Sequence, residues 1–533
     1  MALPIPNIIL NHNKFDHWYP GQEEALESII QWLRGPKRFL CASMPTGSGK
    51  SLLGVLSSVL GGRRSGFLTV TKGLQGQLTK DFEQSGMVDI RGQNNYLCNL
   101  VQDGETTVDD GPCHAGLACS LRQDGCSYYN LLSDAKSSDM LVTNYSYYLA
   151  QTLYGQAGLQ MAKDSNPIEL LICDEAHLAF QAIESFVAVY LSNSEIQGLG
   201  VNFPASTTWD DRQTWAGKLA FKAHAEWEKS KEEIKERAEA GGKIPRAMLR
   251  RVKHYANLET RLQSLSTAKG RWIWNKKQSG MSFNPVWPGE HSHLLFQQTP
   301  KILVMSATFS EKTADSLNIP KDEREWLEVP SYFPKENSPI VQVKTIRMNH
   351  RATQDDLQRW VIRIDQIINK RRDRKGIVFT VSYERRNFLM ANSQHVEIMH
   401  THDNKNIYSA VEKFKKAPAP AVLVSPTVTS GWDFAGDTCL YGIVGKIPYP
   451  DTRDPVVKAR CDDDPDWGAY LAMQTLVQEC GRGTRSEDDK CEYLICDDNF
   501  GLWFWRRYKQ FAPKWFRERV KPGVVEIVPD PYI

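Results

Sequence analysis

The segment MPTGSGKS, residues 44–51, constrains the fold more than any other stretch of this 533-residue sequence. It follows the apolar run RFLCAS (38–43) and precedes the apolar LLGVLSSVL, so strand, glycine loop and helix come in succession. That is the context a phosphate-binding loop requires. Gly47 and Gly49, flanked by Thr46 and Ser48, let main-chain N–H groups curl around a phosphate, Lys50 can reach the outer phosphates, and the Ser51 hydroxyl suits Mg²⁺. The loop alone also reads as a fortuitous glycine turn; its neighbours decide between the two.

Short apolar runs of strand length recur along the chain. A first set is RFLCAS, GFLTVT (66–71), ELLICD (169–174) and KILVMS (301–306), and a second is GIVFT (376–380), AVLVS (421–425), YGIVGK (441–446) and EYLICD (492–497). Continuous rather than alternating hydrophobicity predicts buried parallel strands, hence two α/β sheets. Between them, residues 209–268 are rich in Lys, Glu, Ala and Arg at helical spacing, interrupted at Gly241, Gly242 and Pro245, which predicts a helical insertion hinged near its middle. The length exceeds one ordinary domain, and 36 Gly with 27 Pro is average usage, which excludes collagen-like and globally disordered chains. A formal net charge of +2 gives no global attraction to nucleic acid, so an anionic partner needs a local basic channel. Arg371, Arg372, Arg374 and Lys375 could line one or form a solvated charged turn. No apolar run approaches membrane-spanning length and the amino-terminal stretch lacks a signal-like pattern, so a cytoplasmic protein is expected.

ELLIC runs straight into Asp174-Glu175-Ala176-His177, placing two carboxylates at the carboxyl end of a buried strand, where open α/β sheets bind ligands. Asp174 would hold Mg²⁺ through its waters and Glu175 would polarise a water attacking a γ-phosphate. Solvated carboxylates that merely end a strand are the alternative. Far downstream, QECGRGTR (478–485) follows the helical LAMQTLV; Arg482 and Arg485 lie three apart and share a face if the helix continues through them. Arginines from a second domain would stabilise transition-state charge, making hydrolysis depend on domain closure.

Eleven cysteines in a reducing compartment are expected as thiols or metal ligands. Cys41, Cys173, Cys439 and Cys496 lie in strand-like runs and read as small buried hydrophobes. Cys98, Cys113, Cys119 and Cys126 instead sit in a polar stretch (92–134) with 14, 5 and 6 residues between successive members. Four thiolates there can bind a four-iron cluster or tetrahedral zinc, and His114 is a rival ligand.

Taken together these motifs resemble the XPD/DinG family of superfamily 2 iron-sulfur helicases, over nearly the whole chain. YPGQ (19–22) is similar to the family's adenine-contacting glutamine element, with Gln22 in the matching place, and TKGLQGQ (71–77) resembles motif Ia. Asn144-Tyr145 matches the tract before the DEAH box and Ser306-Ala307-Thr308 matches motif III, thought to couple hydrolysis to domain movement. GIVFT with Ser382 and Tyr383 resembles motif IV, SGWDFAGD (430–437) motif V, and GKIPYP (445–450) with Asp454-Pro455 the family's Lys-aromatic-Pro stretch. Met44 and Ser430 depart from the family's small residue and Glu.

The resemblance implies two RecA-like parallel-sheet motor domains with an iron-sulfur insertion and a helical arch. The implied boundaries are motor domain 1 at 1–91, 136–180 and 301–335, the iron-sulfur domain at 92–135, the arch at 181–300 and motor domain 2 at 336–533. It implies ATP, Mg²⁺ and a 4Fe-4S cluster, the last on Cys98, Cys113, Cys119 and Cys126 because N-Y-x-C and C-x-Y-Y flank them. ATP and Mg²⁺ fall to Gln22, residues 46–51, Asp174, Asp433 and Gln478, catalysis to Lys50, Asp174, Glu175, Arg482 and Arg485, and coupling to His177, Ser306 and Thr308. Thr71, Gln77, Asn144, Tyr145, Thr380 and Trp432 would meet DNA, Trp432 being the best candidate among 15 Trp for stacking on bases. The expectation is a monomeric 5′ to 3′ helicase of bacterial or viral origin, without appended catalytic domains, acting on single-stranded and forked duplex DNA with a protein loading partner. An ATP-gated nucleic-acid-binding subunit of a larger complex, and an RNA-directed ATPase, are the competing readings.

Overall fold

All eight apolar runs form strands whose residues are buried on both faces. The computed structural model describes residues 3–531 apart from 12–13, 102, 116–117, 155–166, 206–207, 243, 297–298, 350, 429–431, 433, 435, 485–486 and 527–530. In the first lobe seven parallel strands lie in the order Arg324–Glu328, Phe39–Ser43, Lys301–Ser306, Leu170–Cys173, Ser65–Thr69, Met140–Asn144 and Val88–Asp89. One face packs Leu53, Leu56, Phe67, Ile172 and Met305 beneath the helix Lys50–Gly61; the other packs Leu68, Leu141, Tyr148 and Val304. Gly54 gives that helix its close approach to the sheet, because a Cβ there would meet Phe67 Cε2 at 2.7 Å.

The second lobe repeats the plan with seven parallel strands, Met399–His400, Ala421–Ser425, Lys375–Phe379, Tyr441–Val444, Glu492–Ile495, Ile340–Val343 and Val520–Val525. The strands Phe39–Ser43, Leu170–Cys173 and Lys301–Ser306 run in register, so their carboxyl ends, where the motifs lie, share one edge of the first lobe. Polar contacts already join the lobes: Tyr470 Oη lies 2.7 Å from Thr313 Oγ1, and Trp515 Nε1 donates to the Ala307 carbonyl at 3.4 Å.

The insertion expected to be helical is mixed. The helices Trp209–Glu239 and Arg246–Ser266 pack side by side with the break at Gly241 and Gly242, as the spacing predicts. Beside them, however, Val189–Ser192, Gly280–Pro285 and Trp272–Lys277 form a three-stranded antiparallel sheet. Alternating burial drives this: Trp272, Met281 and Phe283 face Trp215, Leu219 and Leu262 of the helices. At Gly280 a side chain would strike the Leu191 carbonyl, so the neighbouring strand approaches only a glycine. The cysteine-bearing stretch holds three short 3₁₀ turns and one isolated bridge, Leu97 to Thr107, before the helix Ser127–Ser137.

Candidate nucleotide cleft and cysteine cavity

The phosphate loop spans from the strand Phe39–Ser43 to the helix Lys50–Gly61, with Gly47 and Gly49 in the left-handed region (φ 79° and 78°). Buried Gln22 braces it: its Oε1 accepts from Tyr19 N at 3.0 Å and its Nε2 donates to the Ser48 carbonyl at 3.0 Å. A Cβ at Gly49 would strike Gln22 Nε2, so loop and glutamine interlock. Lys50 Nζ lies 4.0 Å from Glu175 Oε1 and donates to the Pro45 carbonyl at 3.4 Å. Thus Lys50 and Glu175, 125 positions apart in the numbering, face one cleft.

Glu175 is held at φ 47°, a left-handed conformation that a non-glycine residue adopts rarely and that marks strain at a functional turn. Burial pushes its carboxyl up, but Lys50, His177 and Arg482 outweigh burial and hold it below the ordinary range. Asp174 goes the other way, raised by burial and by the Glu175 charge against the pull of Lys50. Such a pair, one carboxyl poised to take a cation and one kept ionised, suits metal binding and water polarisation. His177 Nδ1 lies 2.7 Å from Ser306 Oγ, which accepts from Thr308 N at 3.1 Å; the same nitrogen is 3.3 Å from Glu175 Oε2, without hydrogen-bond alignment. The tract read as coupling residues is therefore one hydrogen-bonded chain.

From the second lobe, Gln478 and Glu479 end the helix Trp467–Glu479, and Gly481 comes so close to the loop that a Cβ would sit 3.4 Å from Thr46 Oγ1. Arg482 follows in a turn beyond the helix, which caps at Cys480. Arg485 and Asp433 lie outside the described residues, as do Ser430 and Gly431. Arg482 donates from Nη1 to the Trp432 carbonyl at 2.8 Å and from Nη2 to Gln478 Oε1 at 3.3 Å, and is close enough to Glu175 to lower its pKa. Several buried polar atoms here have no hydrogen-bond partner among the described residues: Ser48 Oγ, Glu175 Oε2, Gln478 Nε2, Glu479 Oε2 and Thr484 Oγ1. Orphans of this kind are rare in a folded interior and call for a ligand or water. With the Ser51 hydroxyl and the Asp174 carboxylate as hard oxygen donors, the cleft fits a nucleoside triphosphate with Mg²⁺. Sequence reasoning missed Tyr332, whose Oη donates to the Gly47 carbonyl at 3.3 Å and whose ring stacks on Tyr19 (5.1 Å, 20°). No motif marks it; only the fold brings it to the loop.

Of the residues expected to meet a nucleic acid strand, Thr71 and Gln77 are exposed and Trp432 is half-buried. Asn144, Tyr145 and Thr380 are buried. Asn144 Nδ2 donates to Gln75 Oε1 at 3.3 Å, Tyr145 Oη donates to the Asp174 carbonyl at 2.8 Å, and Thr380 is fully buried. Tyr145 thereby supports the Asp174 turn from beneath. Neither reading of the basic run 371–375 holds for its ends: Arg371 is fully buried in a two-bond ion pair with Glu492 (2.8 Å each), and Lys375 donates to the carbonyls of Lys415 and Ala417.

Cys98, Cys113, Cys119 and Cys126 line one cavity with Val108, Pro112, Leu121 and Tyr129, enclosing about 290 Å³ including its open mouth. Burial raises the Cys113 thiol, and the proximity of the other three raises it further. Among the described residues no three His, Cys, Asp or Glu converge on a point as a single metal ion needs. Four sulfur donors around a shared cavity fit a group with four attachment points. The side chain of His114 is outside the described set. The acidic edge of this insertion, Asp109 and Asp110, pairs with Lys253, Arg246 and Arg250 of the helix Arg246–Ser266, Arg250 Nε to Asp110 Oδ2 at 3.0 Å.

The site is a phosphate-loop cleft faced by a second parallel-sheet lobe. The family description "Helicase C-terminal domain" matches residues 364–519, and "Type III restriction enzyme, res subunit" matches 16–201. The ATP-dependent DNA helicase YoaA of Escherichia coli is similar at 32% identity over 96 residues, 16% of this chain and 15% of that protein. A probable ATP-dependent helicase of Methanocaldococcus jannaschii, MJ0942, is similar at 22% over 277 residues, 46% and 41% of the two chains. The matches thus span less than half of either relative. A solved XPD helicase structure superposes with a TM-score of 0.64 at 16% identity, covering 96% of this chain and 99% of that one. The chain thus shares the fold of the XPD helicase structure and carries within it a stretch similar to a helicase C-terminal domain.

Proposed function

We propose that this protein is an ATP-dependent helicase that moves 5′ to 3′ along single-stranded DNA and opens duplexes in replication, repair or recombination. The observation that carries the reading is the meeting of the two lobes at one phosphate site: Lys50 and Glu175 on one wall, Gly481 and Arg482 on the other. In this reading Lys50 neutralises the outer phosphates, Asp174 and Ser51 hold Mg²⁺, Glu175 accepts the proton of the attacking water, and Arg482 with Arg485 stabilises the charge that develops. Hydrolysis weakens the bridge between the lobes, and the His177–Ser306–Thr308 chain passes that change to the lobe contact at Ala307 and Trp515. Alternate closure and opening then moves the strand.

Cys98, Cys113, Cys119 and Cys126 would hold the 4Fe-4S cluster, which when bound supplies a four-point crosslink to a segment with almost no regular structure of its own. The ion pairs from Asp109 and Asp110 then tie that braced insertion to the arch, making a firm edge for duplex to split against. The DNA substrate, the polarity and the loading partner rest on the family resemblance; the similarity to YoaA, an ATP-dependent DNA helicase, supports the first. The test is strand displacement on duplexes with a 5′ or a 3′ single-stranded tail, using protein purified without oxygen. ATP-dependent unwinding of the 5′-tailed duplex alone is expected. ATPase stimulated by single strands with no unwinding would instead assign an ATP-gated subunit of a larger complex, and stronger stimulation by RNA than DNA an RNA-directed enzyme.

A further inference from the structure

Tyr408 is the second most exposed large hydrophobic side chain among the described residues, at 75% exposure, on the second lobe at the start of the helix Ile407–Lys416. An isolated exposed ring needs no explanation, but this one is not isolated. Its centroid lies 4.9 Å from that of Trp432 at 48°, so the two rings form one aromatic surface with Trp432 as its inner, half-buried part. The Trp432 carbonyl is the acceptor for Arg482 Nη1, so the inner ring sits on the backbone that orients a cleft arginine.

A few residues before Tyr408 the chain meets the tract that resembles motif IV. Tyr383, three residues after GIVFT, hydrogen-bonds through its Oη to Asn404 Oδ1 and packs edge-on against His402 (6.4 Å, 82°). Between Thr380 and Ser382, Val381 is held at φ 65°, a conformation that a β-branched residue adopts only where its surroundings force it. Residues 403–406 are exposed, with Lys405 among them and its charge facing solvent. The segment 402–408 thus runs from the motif IV tract to the Trp432 ring and carries an exposed cation, Lys405, and the open ring of Tyr408.

We infer that Tyr408 is a nucleic-acid contact, the outer half of a two-ring platform with Trp432 on which a base of the single strand stacks. This rests on the proposed helicase function and adds a residue that no motif marks. Both ring faces of a fully packed tyrosine would be spent on protein; here the exposed face is available, and stacking tolerates any base, as a translocating enzyme requires. A shift of Trp432 under a bound strand would move the carbonyl that holds Arg482, so occupancy of the platform is felt in the cleft.

The test is fluorescence anisotropy with a fluorescein-labelled 20-nucleotide oligothymidine, comparing the full-length wild type with Tyr408→Ala and Tyr408→Phe at one salt concentration. The alanine variant is expected to bind about tenfold more weakly, within the range found for removing one base-stacking ring, and the phenylalanine variant to bind like wild type. A melting temperature unchanged in Tyr408→Ala, expected for so exposed a side chain, assigns the loss to the contact. Wild-type affinity in Tyr408→Ala would overturn this inference alone. Failure of the wild type to bind the oligonucleotide would overturn it together with the helicase reading.

Discussion

The nucleotide cleft and the cysteine-bearing insertion hold their functional groups in opposite ways. On the first lobe's wall of the cleft the groups hang from the end of a fully buried strand or the first turn of a helix: Met44 to Ser51 follow the strand Phe39–Ser43, and Asp174 and Glu175 follow Leu170–Cys173. Ladder hydrogen bonds and close packing position them before any ligand arrives. The insertion has three 3₁₀ turns and one bridge between Asp89 and Ser127, and it leaves Leu97 and Leu100 exposed at 54% and 42%. An ion-paired clamp from a neighbouring helix holds it, and under the proposed function the cluster on its cysteines would brace it further. Chemistry on a phosphate thus rests on the sheet, whereas the insertion rests on side-chain contacts.

That contrast can be broken at the cleft first. Lys50→Ala should reduce nucleic-acid-stimulated ATP hydrolysis at least a hundredfold with an unchanged melting temperature, measured by phosphate release and calorimetry; retained hydrolysis would remove the site assignment. At the insertion, Cys113→Ser should behave in reverse. It should abolish the visible absorbance and iron content of anaerobically purified protein and cut unwinding more than tenfold, while ATP hydrolysis falls only a few-fold. Zinc without iron in the wild type would refute the cluster and leave the cavity as a zinc site.

Loosening the clamp is a smaller perturbation. Asp109→Asn with Asp110→Asn should destabilise the contact by about 1 kcal/mol, seen as faster amide exchange in the helix Arg246–Ser266, and high salt should mimic it in the wild type. Burial raises the Asp110 carboxyl, but Arg250, Lys253 and Arg246 together pull it below its ordinary value. The clamp's contribution is therefore present above the ordinary carboxylate range near pH 4 and is lost as pH falls through the lowered value. The smallest effect is expected at Glu479, whose buried carboxyl is pushed up to about 8 by desolvation, with Arg482 opposing. A raised carboxyl pKa means that stability is lost as pH climbs from the ordinary value towards 8. Glu479→Gln should then raise the melting temperature by about 1–3 °C at pH 8 and leave it unchanged at pH 4. No pH dependence in that difference would show that the buried group finds a partner.

The strands were legible because a strand buried on both faces must be apolar throughout, and no compensating signal obscures a run such as AVLVS. The phosphate loop and the DEAH tract were legible because their chemistry needs fixed residue types at fixed spacing. The three-stranded sheet of the arch was not. Its apolar positions, Trp272, Met281 and Phe283, count as sheet only because the strand Val189–Ser192, more than eighty residues earlier, comes back to pair. Arg371 shows the limit most clearly: in sequence it belongs to a basic run, yet its charge is cancelled inside the core by Glu492, 121 positions away.

The sequence by itself determined the two sheets, the loop that would take a phosphate and the four cysteines set apart from the rest, since each follows from local pattern. Only the tertiary structure decided which polar residues face the ligand and which support it. Asn144, Tyr145 and Thr380 turn inward, Tyr332 reaches the phosphate loop, and Tyr408 stands open beside Trp432. Local pattern sets whether a side chain can be buried, but the partner that satisfies or exposes it is supplied from elsewhere in the chain, and that pairing exists only once the lobes have folded.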